Sequence, residues 1–141
     1  QTEIIKKELG WHEDEVESLY PNTLSFDKIE CMFTGIRDYI KLLKRGFSRI
    51  THRTTIDIKQ GKITRDEGLE LIDKYEKRKP RSLSVFLEYI GMCEDEFNDI
   101  CLKHVISPAK PIDPKTIPES DKLWDQDLWF RDAEEGLRED I

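Results

Sequence analysis

Five basic side chains lie within thirteen residues near the middle of the chain, and we call this stretch, residues 41–53, the basic window. No acidic residue occurs between Asp38 and Asp57, although more than one residue in five of the whole chain is acidic. Surfaces that serve only solubility mix both signs of charge, so the missing acids indicate a local anionic ligand. The cations are Lys41, Lys44, Arg45, Arg49 and Arg53, with His52 among them.

The residue types of the basic window suit a phosphate ligand. Guanidinium groups bind phosphate oxygens through two donors, ammonium groups act as point charges, and backbone N–H groups at a helix start add further donors. Gly46 allows a bend, and Thr54 and Thr55 extend a set of hydroxyls. A solvated cationic helix end is the alternative interpretation. The sequence predicts a phosphate or nucleotide site formed by Lys44, Arg45, Ser48, Arg49, Thr51, His52 and Arg53.

Other chemistry finds little support in the sequence. The segment 61–64 has the Gly-Lys of a phosphate-binding P-loop, but Ile56 stands where its first glycine is required and Ile63 where Ser or Thr is required. The three histidines belong to no nucleophile or metal motif, so we predict neither catalytic residues nor a metal site. The three cysteines, Cys31, Cys93 and Cys101, fit no disulfide or zinc pattern and are expected to face the core in a reducing, cytoplasmic compartment.

Charge is strongly segregated along the 141 residues, whose net charge is −7. Residues 1–30 carry −5, residues 31–57 carry +4 and residues 58–81 carry +3, whereas residues 82–118 carry −3 and residues 119–141 carry −6. The cationic middle therefore favours one local anionic ligand, even though the whole chain is acidic. No apolar run exceeds three residues, so we expect no membrane span.

Apolar periodicity predicts an all-α fold, a compact bundle of short helices. The starts and ends are set by capping residues, glycines and a proline. A short strand of β-branched residues over 54–58 is the alternative for the third helix. We predict helices over Thr2–Leu9, from Asp27 (with Glu30 as capping partner) to Gly46, over 47–61, from Thr64 (with Glu67) to Pro80, from Ser82 or Ser84 to Gly91, and after Cys93. The predicted buried residues of the last three helices are Leu69, Leu71, Ile72, Tyr75, Val85, Phe86, Tyr89, Ile90, Phe97, Ile100 and Val105.

Four segments follow from this pattern. They are a helical arm with an acidic loop (1–26), a helical core domain (27–106), a Pro-rich linker (107–118) with an extended, strap-like course, and an acidic aromatic tail (119–141). Trp124 and Trp129 in the tail are predicted to dock on a partner, as Trp commonly does at interfaces. The chain begins without Met inside a helical pattern, so we expect it to be part of a longer one.

Two further function classes remain open beside a phosphate site. The first is a non-catalytic helical module for protein–protein interaction that docks through its tail. The second is nucleic-acid binding, which we rank low because Phe47 is the single aromatic residue among the cations of the basic window. A second basic run, residues 77–81, is expected to be a solvated helix end, with an extension of the same anion surface as the alternative.

A set of short motifs in a fixed order carries a resemblance to a known family. They are Gly35-Ile36-Arg37-Asp38-Tyr39, Lys44-Arg45-Gly46-Phe47-Ser48-Arg49, Ile56-Asp57-Ile58, Gly61-Lys62-Ile63-Thr64-Arg65-Asp66-Glu67, Lys74-Tyr75, Pro80, Phe86-Leu87-Glu88-Tyr89-Ile90-Gly91 and Glu96-Phe97. Over residues 3–106 they resemble the C-terminal region of the N-acetyl sugar amidotransferases, which serve lipopolysaccharide and other surface-polysaccharide biosynthesis.

The resemblance implies an ATP-dependent reaction in which the acetamido group of a sugar or nucleotide-sugar is adenylated and then attacked by ammonia to give an acetamidino group. It implies ammonia from a partner glutaminase subunit, and ATP held by an N-terminal ATP pyrophosphatase domain with a Ser-Gly-Gly-x-Asp-Ser loop. That loop is absent here, so this chain alone is not expected to be active. The resemblance carries over the 44–49 loop and the Thr64-Arg65-Asp66-Glu67 helix start.

Overall fold

The computed structural model describes residues 2–10, Tyr20, Cys31 and residues 33–120. In this part of the chain the regular structure is helical, apart from one isolated β-bridge. The all-α prediction is therefore confirmed. The helices are α1 (Thr2–Leu9), α2 (Thr34–Arg45), α3 (Arg49–Lys59), α4 (Arg65–Tyr75), α5 (Ser82–Ile90), α6 (Glu94–Lys103) and a short 3-10 helix, η1 (Pro114–Thr116).

Local signals set several of the helix ends. Gly46 ends α2 with φ at +76°, a conformation that residues with a Cβ rarely adopt, and its N–H donates to the Leu42 carbonyl over 2.8 Å. Thr64 begins α4 in a capping box, because its N–H donates to Glu67 over 2.7 Å and the Glu67 N–H donates back to its hydroxyl over 3.3 Å. Both ends were predicted from the sequence and are confirmed.

Helix α2 lies at the centre of the core. Its side chains Tyr39, Leu42 and Leu43 are almost completely buried, and α2 packs against both α5 and α6. Burying a leucine of this kind contributes about 1.5–3 kcal/mol. The other buried members of the core are Ile36, Leu83, Leu87, Phe97, Cys101 and Ile117.

Helices α3 and α4 form an antiparallel pair, which positions the basic window. They are joined by a tight turn at Gly61 (φ +69°), where the Lys62 N–H donates to the Asp57 carbonyl over 2.9 Å. Buried Gly68 of α4 faces Ile58 of α3 and leaves room for close packing. The end of α4 is thereby brought next to the beginning of α3.

The Pro-rich segment packs along this bundle and is held at both ends. Near its start, the Ile106 N–H donates to the Lys44 carbonyl over 2.9 Å. Near its end, a parallel bridge joins Lys79 and Glu119, and Ser120 donates its N–H to the Lys79 carbonyl over 2.8 Å. Ile117 between them lies in the core, so the segment predicted as a linker contributes to the core itself.

The start of the second helix differs from the prediction. The predicted capping pair Asp27 and Glu30 lies outside the described residues, and Cys31 is not helical. In the described part of the chain α2 begins at Thr34, after Phe33, which makes no side-chain capping bond. The apolar spacing that we extended back to Asp27 therefore does not form one continuous helix.

Several residues predicted to be buried are exposed instead. Leu69 is 53% exposed, Tyr89 80%, Ile90 39% and Ile100 41%. Short helices on the outside of a small bundle bury only a narrow stripe, so an apolar residue one position to the side of that stripe faces solvent. Cys31 and Cys93 are also exposed, and the prediction that all three cysteines face the core holds for Cys101 alone. All three are free thiols.

Candidate anion site at the α2–α3 elbow

The basic window folds into an elbow between α2 and α3. Gly46 reverses the chain, and Ser48 follows in an extended conformation as the N-cap of α3. The Ser48 hydroxyl accepts a hydrogen bond from the Ile50 N–H at 3.4 Å. The helix predicted over 47–61 is thereby confirmed as α3, and the N–H groups of its first turn form part of the elbow.

A carboxylate from the far end of α4 occupies the start of α3. One oxygen of Glu76 accepts the Ser48 N–H, and its other oxygen accepts the Thr51 N–H at 2.9 Å. Glu76 is only 6% exposed. Because the first turn of a helix attracts anions through both its free N–H groups and its dipole, this carboxylate holds the position that the sequence predicted for an oxyanion.

The two arginines of α3 have acidic partners. Arg53 donates to both oxygens of Asp57, at 2.6 and 3.1 Å, and both side chains are largely buried. One guanidinium nitrogen of Arg49 lies 3.9 Å from Asp38, again with both side chains buried. The window that contains no acids in sequence therefore has three carboxylates around it in space, those of Asp38, Asp57 and Glu76.

Asp57 is the most heavily contacted of these carboxylates. Besides Arg53, it accepts the Tyr20 hydroxyl at 2.5 Å and lies 3.7 Å from the Lys62 ammonium. Burial alone would raise the pKa of Asp57, but the hydrogen bonds from Tyr20 and Arg53 and the charges of Arg53 and Lys62 outweigh it and hold the pKa below its ordinary value. Asp57 is therefore an ionised anchor that ties the end of α3 to its surroundings.

Two predicted hydroxyl donors serve the helix itself. Thr54 donates to the Ile50 carbonyl at 2.9 Å, and Thr55 donates to the Thr51 carbonyl at 2.7 Å. Such bonds to the preceding turn are common for threonine within helices. These hydroxyls are therefore directed along α3 and not toward the elbow.

Three predicted site residues keep access to solvent without an acidic partner among the described residues. Arg45 and His52 are exposed, and Lys44 is half-buried. The charge of Lys44 also acts on Cys101, whose thiol pKa is raised by burial and partly lowered again by this ammonium. Next to them, the Lys41 ammonium lies 4.6 Å from the centre of the Phe47 ring.

A small cavity of about 30 Å³ lies beside the start of α3, and we call it the elbow cavity. Its lining includes Ser48 and Glu76, together with the buried residues Asp38 and Tyr39. In the described part of the chain the Tyr39 hydroxyl has no hydrogen-bond partner. Burial raises the pKa of Tyr39, and the charge of Glu94 adds to the effect, so the hydroxyl stays protonated and able to donate.

The second basic run is partly used by the fold. Lys79 lies 3.2 Å from Glu94 and 3.5 Å from Glu119, at the bridge that holds the end of the Pro-rich segment. Arg78 lines the elbow cavity, so this run reaches the same region as the basic window. The expectation of a purely solvated helix end is wrong for Lys79.

The tail tryptophans, metal ligands and membrane spans considered in the sequence analysis are taken in turn. Trp124 and Trp129 lie outside the described residues. Within residues 2–10, 20, 31 and 33–120, no group of three His, Cys, Asp or Glu side chains is arranged to hold a metal ion. None of the helices described there is long and apolar enough to cross a bilayer.

Sequence reasoning missed Glu76, which contributes most to the geometry of the elbow. One signal for it was present, because Glu76 is the C-cap of α4, where a negative charge is unfavourable to the helix dipole. A carboxylate in that position indicates a partner elsewhere in the fold. The Arg53–Asp57 pair was also detectable from its i, i+4 spacing.

Comparison with known proteins places the chain in a family. A family model described as the C-terminal domain of WbpG-like lipopolysaccharide (LPS) biosynthesis proteins matches residues 20–127. The chain belongs to this family, and the resemblance found in its sequence motifs is confirmed as far as the C-terminal region of an LPS-biosynthesis protein family. No curated protein and no solved structure matches the chain.

Proposed function

We propose that the chain is the C-terminal helical domain of an ATP-dependent N-acetyl sugar amidotransferase, which converts an acetamido group to an acetamidino group in surface-polysaccharide biosynthesis. The observation that carries this proposal is the match to the LPS-biosynthesis family over residues 20–127, since that range contains all the motifs of the resemblance. The proposed partners are an N-terminal ATP pyrophosphatase domain that binds ATP, a glutaminase subunit that supplies ammonia, and a sugar or nucleotide-sugar substrate. Such an enzyme would work in the cytoplasm.

Within this enzyme, the elbow would contribute positive charge to a phosphate group. Arg45, His52 and Lys44 are proposed to contact it directly, because they have solvent access and no carboxylate partner among the described residues. Arg49 and Arg53 are proposed to hold the elbow in shape through Asp38 and Asp57. Cations near a departing pyrophosphate or a bound diphosphate stabilise the negative charge there.

Pyrophosphate binding to the 141-residue chain tests the elbow. Replacing Lys44 and Arg45 together by alanine is expected to weaken binding by about tenfold, because two exposed charge contacts are lost. The matched control replaces Lys59 and Lys103, two exposed lysines at the far end of α3 and on α6. Both variants remove the same charge, and binding is measured by isothermal titration calorimetry. If both weaken pyrophosphate binding equally, binding depends only on the net charge of the chain, which would contradict a specific role for the elbow.

The reaction itself is tested in the natural gene product that carries this chain. We expect ATP-dependent formation of an acetamidino sugar in the presence of ammonia, followed by mass spectrometry as a loss of one mass unit from the sugar, since an oxygen atom is replaced by an NH group. The Lys44→Ala/Arg45→Ala variant should be slower than the Lys59→Ala/Lys103→Ala control. Consumption of ATP without a change in the sugar would rule out this reaction.

A non-catalytic interaction module is the second candidate, and the exposed aromatic face of α5 favours it. Tyr89 is 80% exposed while its ring lies 6.2 Å from that of Phe33, and Ile90 next to it is 39% exposed. Exposed aromatic groups of this kind are typical of protein interfaces. This candidate predicts that deleting residues 121–141, with Trp124 and Trp129, abolishes partner binding while Glu119 and Ser120 keep their contacts with Lys79. It also predicts that polyphosphate does not change thermal stability.

A further inference from the structure

The C-terminal ends of α2 and α6 meet at one end of the bundle. Just past α6, the Ile106 N–H donates to the carbonyl of Lys44, in the last turn of α2, over 2.9 Å. Gly46 lies against the following segment, because a Cβ added there would be 3.7 Å from the Ala109 methyl group. We call the surface that these two segments share the basic pole, residues 44–47 and 103–110.

The basic pole combines two stretches of sequence that contain no acids. Neither residues 39–56 nor residues 100–112 include an Asp or Glu, so the fold brings together two segments that lack negative charge. Its basic side chains have no ion-pair partner among the described residues, and all are exposed except the half-buried first one. A surface of one sign indicates an acidic partner. These side chains are Lys44, Arg45, Lys103, His104 and Lys110.

Exposed apolar side chains lie among these charges. Phe47 is 38% exposed and Ile106 is 48% exposed. A phosphate ligand would use the positive charges but would leave these two side chains in water. Cations that surround aromatic and aliphatic groups fit a partner segment in which acids and large apolar side chains occur together.

We propose that the basic pole is the docking surface for the acidic aromatic tail of the same chain, residues 121–141. That segment carries eight acids and three bases, for a net charge of −5. It also has four large apolar side chains within seven positions, namely Trp124, Leu128, Trp129 and Phe130. The tail therefore combines the two properties that the basic pole requires of a partner.

The described chain ends beside the surface on which the tail would dock. Ser120 lines the elbow cavity together with Ser48, which follows Phe47 in the sequence, and the Ser120 N–H is held by the Lys79 carbonyl at 2.8 Å. Four extended residues span about 13 Å, so Trp124 can reach the Phe47 side of the basic pole. A short tether also gives the tail an effective concentration on the order of millimolar, so weak contacts are sufficient.

This inference goes beyond the proposed reaction, because it concerns contacts between two parts of the chain. A docked tail would cover Lys44 and Arg45 and would therefore compete with any anionic ligand of the elbow. An anionic lipid surface fits the basic pole less well as a partner, since the negatively charged tail attached next to the pole would repel it.

The test measures how strongly acrylamide quenches the fluorescence of the tail tryptophans in the 141-residue chain. Trp11 is replaced by Phe in every protein compared, so that Trp124 and Trp129 are the only emitters. The variant Lys103→Glu/Lys110→Glu reverses two charges of the basic pole and should release the tail. We expect its quenching constant to be at least about twofold higher than that of the parent chain, because the docked fraction falls.

Two matched controls separate docking from general effects. Lys59→Glu/Arg65→Glu makes the same charge change on either side of the α3–α4 turn, at the opposite end of α3 from the elbow, and should leave quenching unchanged. The apolar contact is tested by Phe47→Ser, which should also raise quenching, against Leu69→Ser at an exposed position of α4. Circular dichroism checks that each variant is folded, and Phe47→Ser decides the test if the charge-reversed pole is not.

The possible outcomes are distinct. Higher quenching in the two variants of the basic pole but in neither control supports docking of the tail. Equal quenching in all five proteins overturns the inference, and the tail is then free for another protein, whereas the phosphate contact is unaffected. Protection that disappears on dilution of the protein also overturns it, because the tail then docks on a second copy. Binding of the parent chain to phosphatidylglycerol vesicles but not to phosphatidylcholine vesicles, with equal quenching throughout, assigns the basic pole to a lipid surface instead.

Discussion

Helices α3 and α4 run side by side, yet their first turns are completed in opposite ways. At the start of α4, Thr64 and Glu67 satisfy each other within four residues. At the start of α3, the Ser48 and Thr51 N–H groups depend on Glu76, which is 28 and 25 residues away in sequence. The Thr64 N–H and hydroxyl also hold the pKa of Glu67 below its ordinary value, so the local cap carries a full charge near neutral pH.

This difference indicates how each helix depends on the rest of the fold. Helix α4 has its cap within its own sequence and requires no tertiary contact to complete its first turn. Helix α3 reaches its full set of hydrogen bonds only when α4 has folded back beside it. Its other end is tied by Asp57 to Tyr20, which is 37 residues away. The helix that carries Arg49, His52 and Arg53 of the basic window therefore depends more on tertiary contacts than α4 does.

The largest expected loss of stability comes from removing the contacts at the far end of α3. Replacing Asp57 by alanine leaves the largely buried Arg53 charge and the Tyr20 hydroxyl without their shared partner. We expect the free energy of unfolding to fall by about 3 kcal/mol, measured by urea denaturation. Asp73→Ala, at an exposed position of α4, serves as the control. Equal losses for the two variants would show that α3 does not depend on this contact.

A somewhat smaller loss is expected at the near end of α3. Glu76→Ala leaves the N–H groups of Ser48 and Thr51 without their acceptor and should cost about 2 kcal/mol. Hydrogen exchange should quicken at these two amides while the amide of Glu67 keeps its protection. If the Glu67 amide loses as much protection as the Thr51 amide, the first turns of α3 and α4 are not stabilised independently. That result would contradict the contrast between the two helices.

The local cap of α4 should matter less. Thr64→Ala removes the hydroxyl that accepts the Glu67 N–H, and losses of N-cap hydroxyls cost about 1 kcal/mol. Thr64→Ser keeps the hydroxyl and is expected to restore most of the stability. A failure of serine to restore it would point to the threonine methyl group as the stabilising part.

The smallest effect is a dependence of stability on pH. Because the pKa of Asp57 is lower in the folded protein than in the unfolded chain, its contribution is present above the unfolded pKa of about 3.9 and is lost as the pH falls through the folded value. We expect acid titration to destabilise the wild type more steeply than Asp57→Asn in this range. Parallel curves for the two proteins would contradict the assignment of Asp57 as an ionised anchor.

Contacts between residues that are close together in the sequence could be predicted, whereas contacts between residues far apart in the sequence could not. The end of α2 at Gly46 and the cap of α4 at Thr64 and Glu67 are encoded within a few neighbouring positions, and both predictions are confirmed. The roles of Asp38 and Glu76 were not predictable in the same way. Asp38 meets Arg49 across the chain reversal at Gly46, and Glu76 reaches the start of α3 through the pairing of α3 with α4. No local pattern reports either approach.

The exposed side chains of α4 to α6 show the same limit of prediction from local sequence for the core, and the basic window shows it for the candidate site. Apolar spacing predicted the helices themselves but not the rotation of each about its axis, so Leu69 and Tyr89 were placed inside and lie outside. In the basic window, the pattern predicted a cationic elbow but not which cations are already paired. Direct phosphate contact by Lys44, Arg45 and His52 stays a prediction.

The Pro-rich segment has a practical consequence for work on this domain. It hydrogen-bonds to the end of α2, contributes Ile117 to the core and reaches Lys79 through Ser120. A version trimmed after α6 would remove Ile117 from the core and the hydrogen bond from Ile106 to Lys44 next to the elbow. Recombinant fragments intended for crystallisation or spectroscopy should therefore extend at least through residue 120, whatever is done with the residues beyond it.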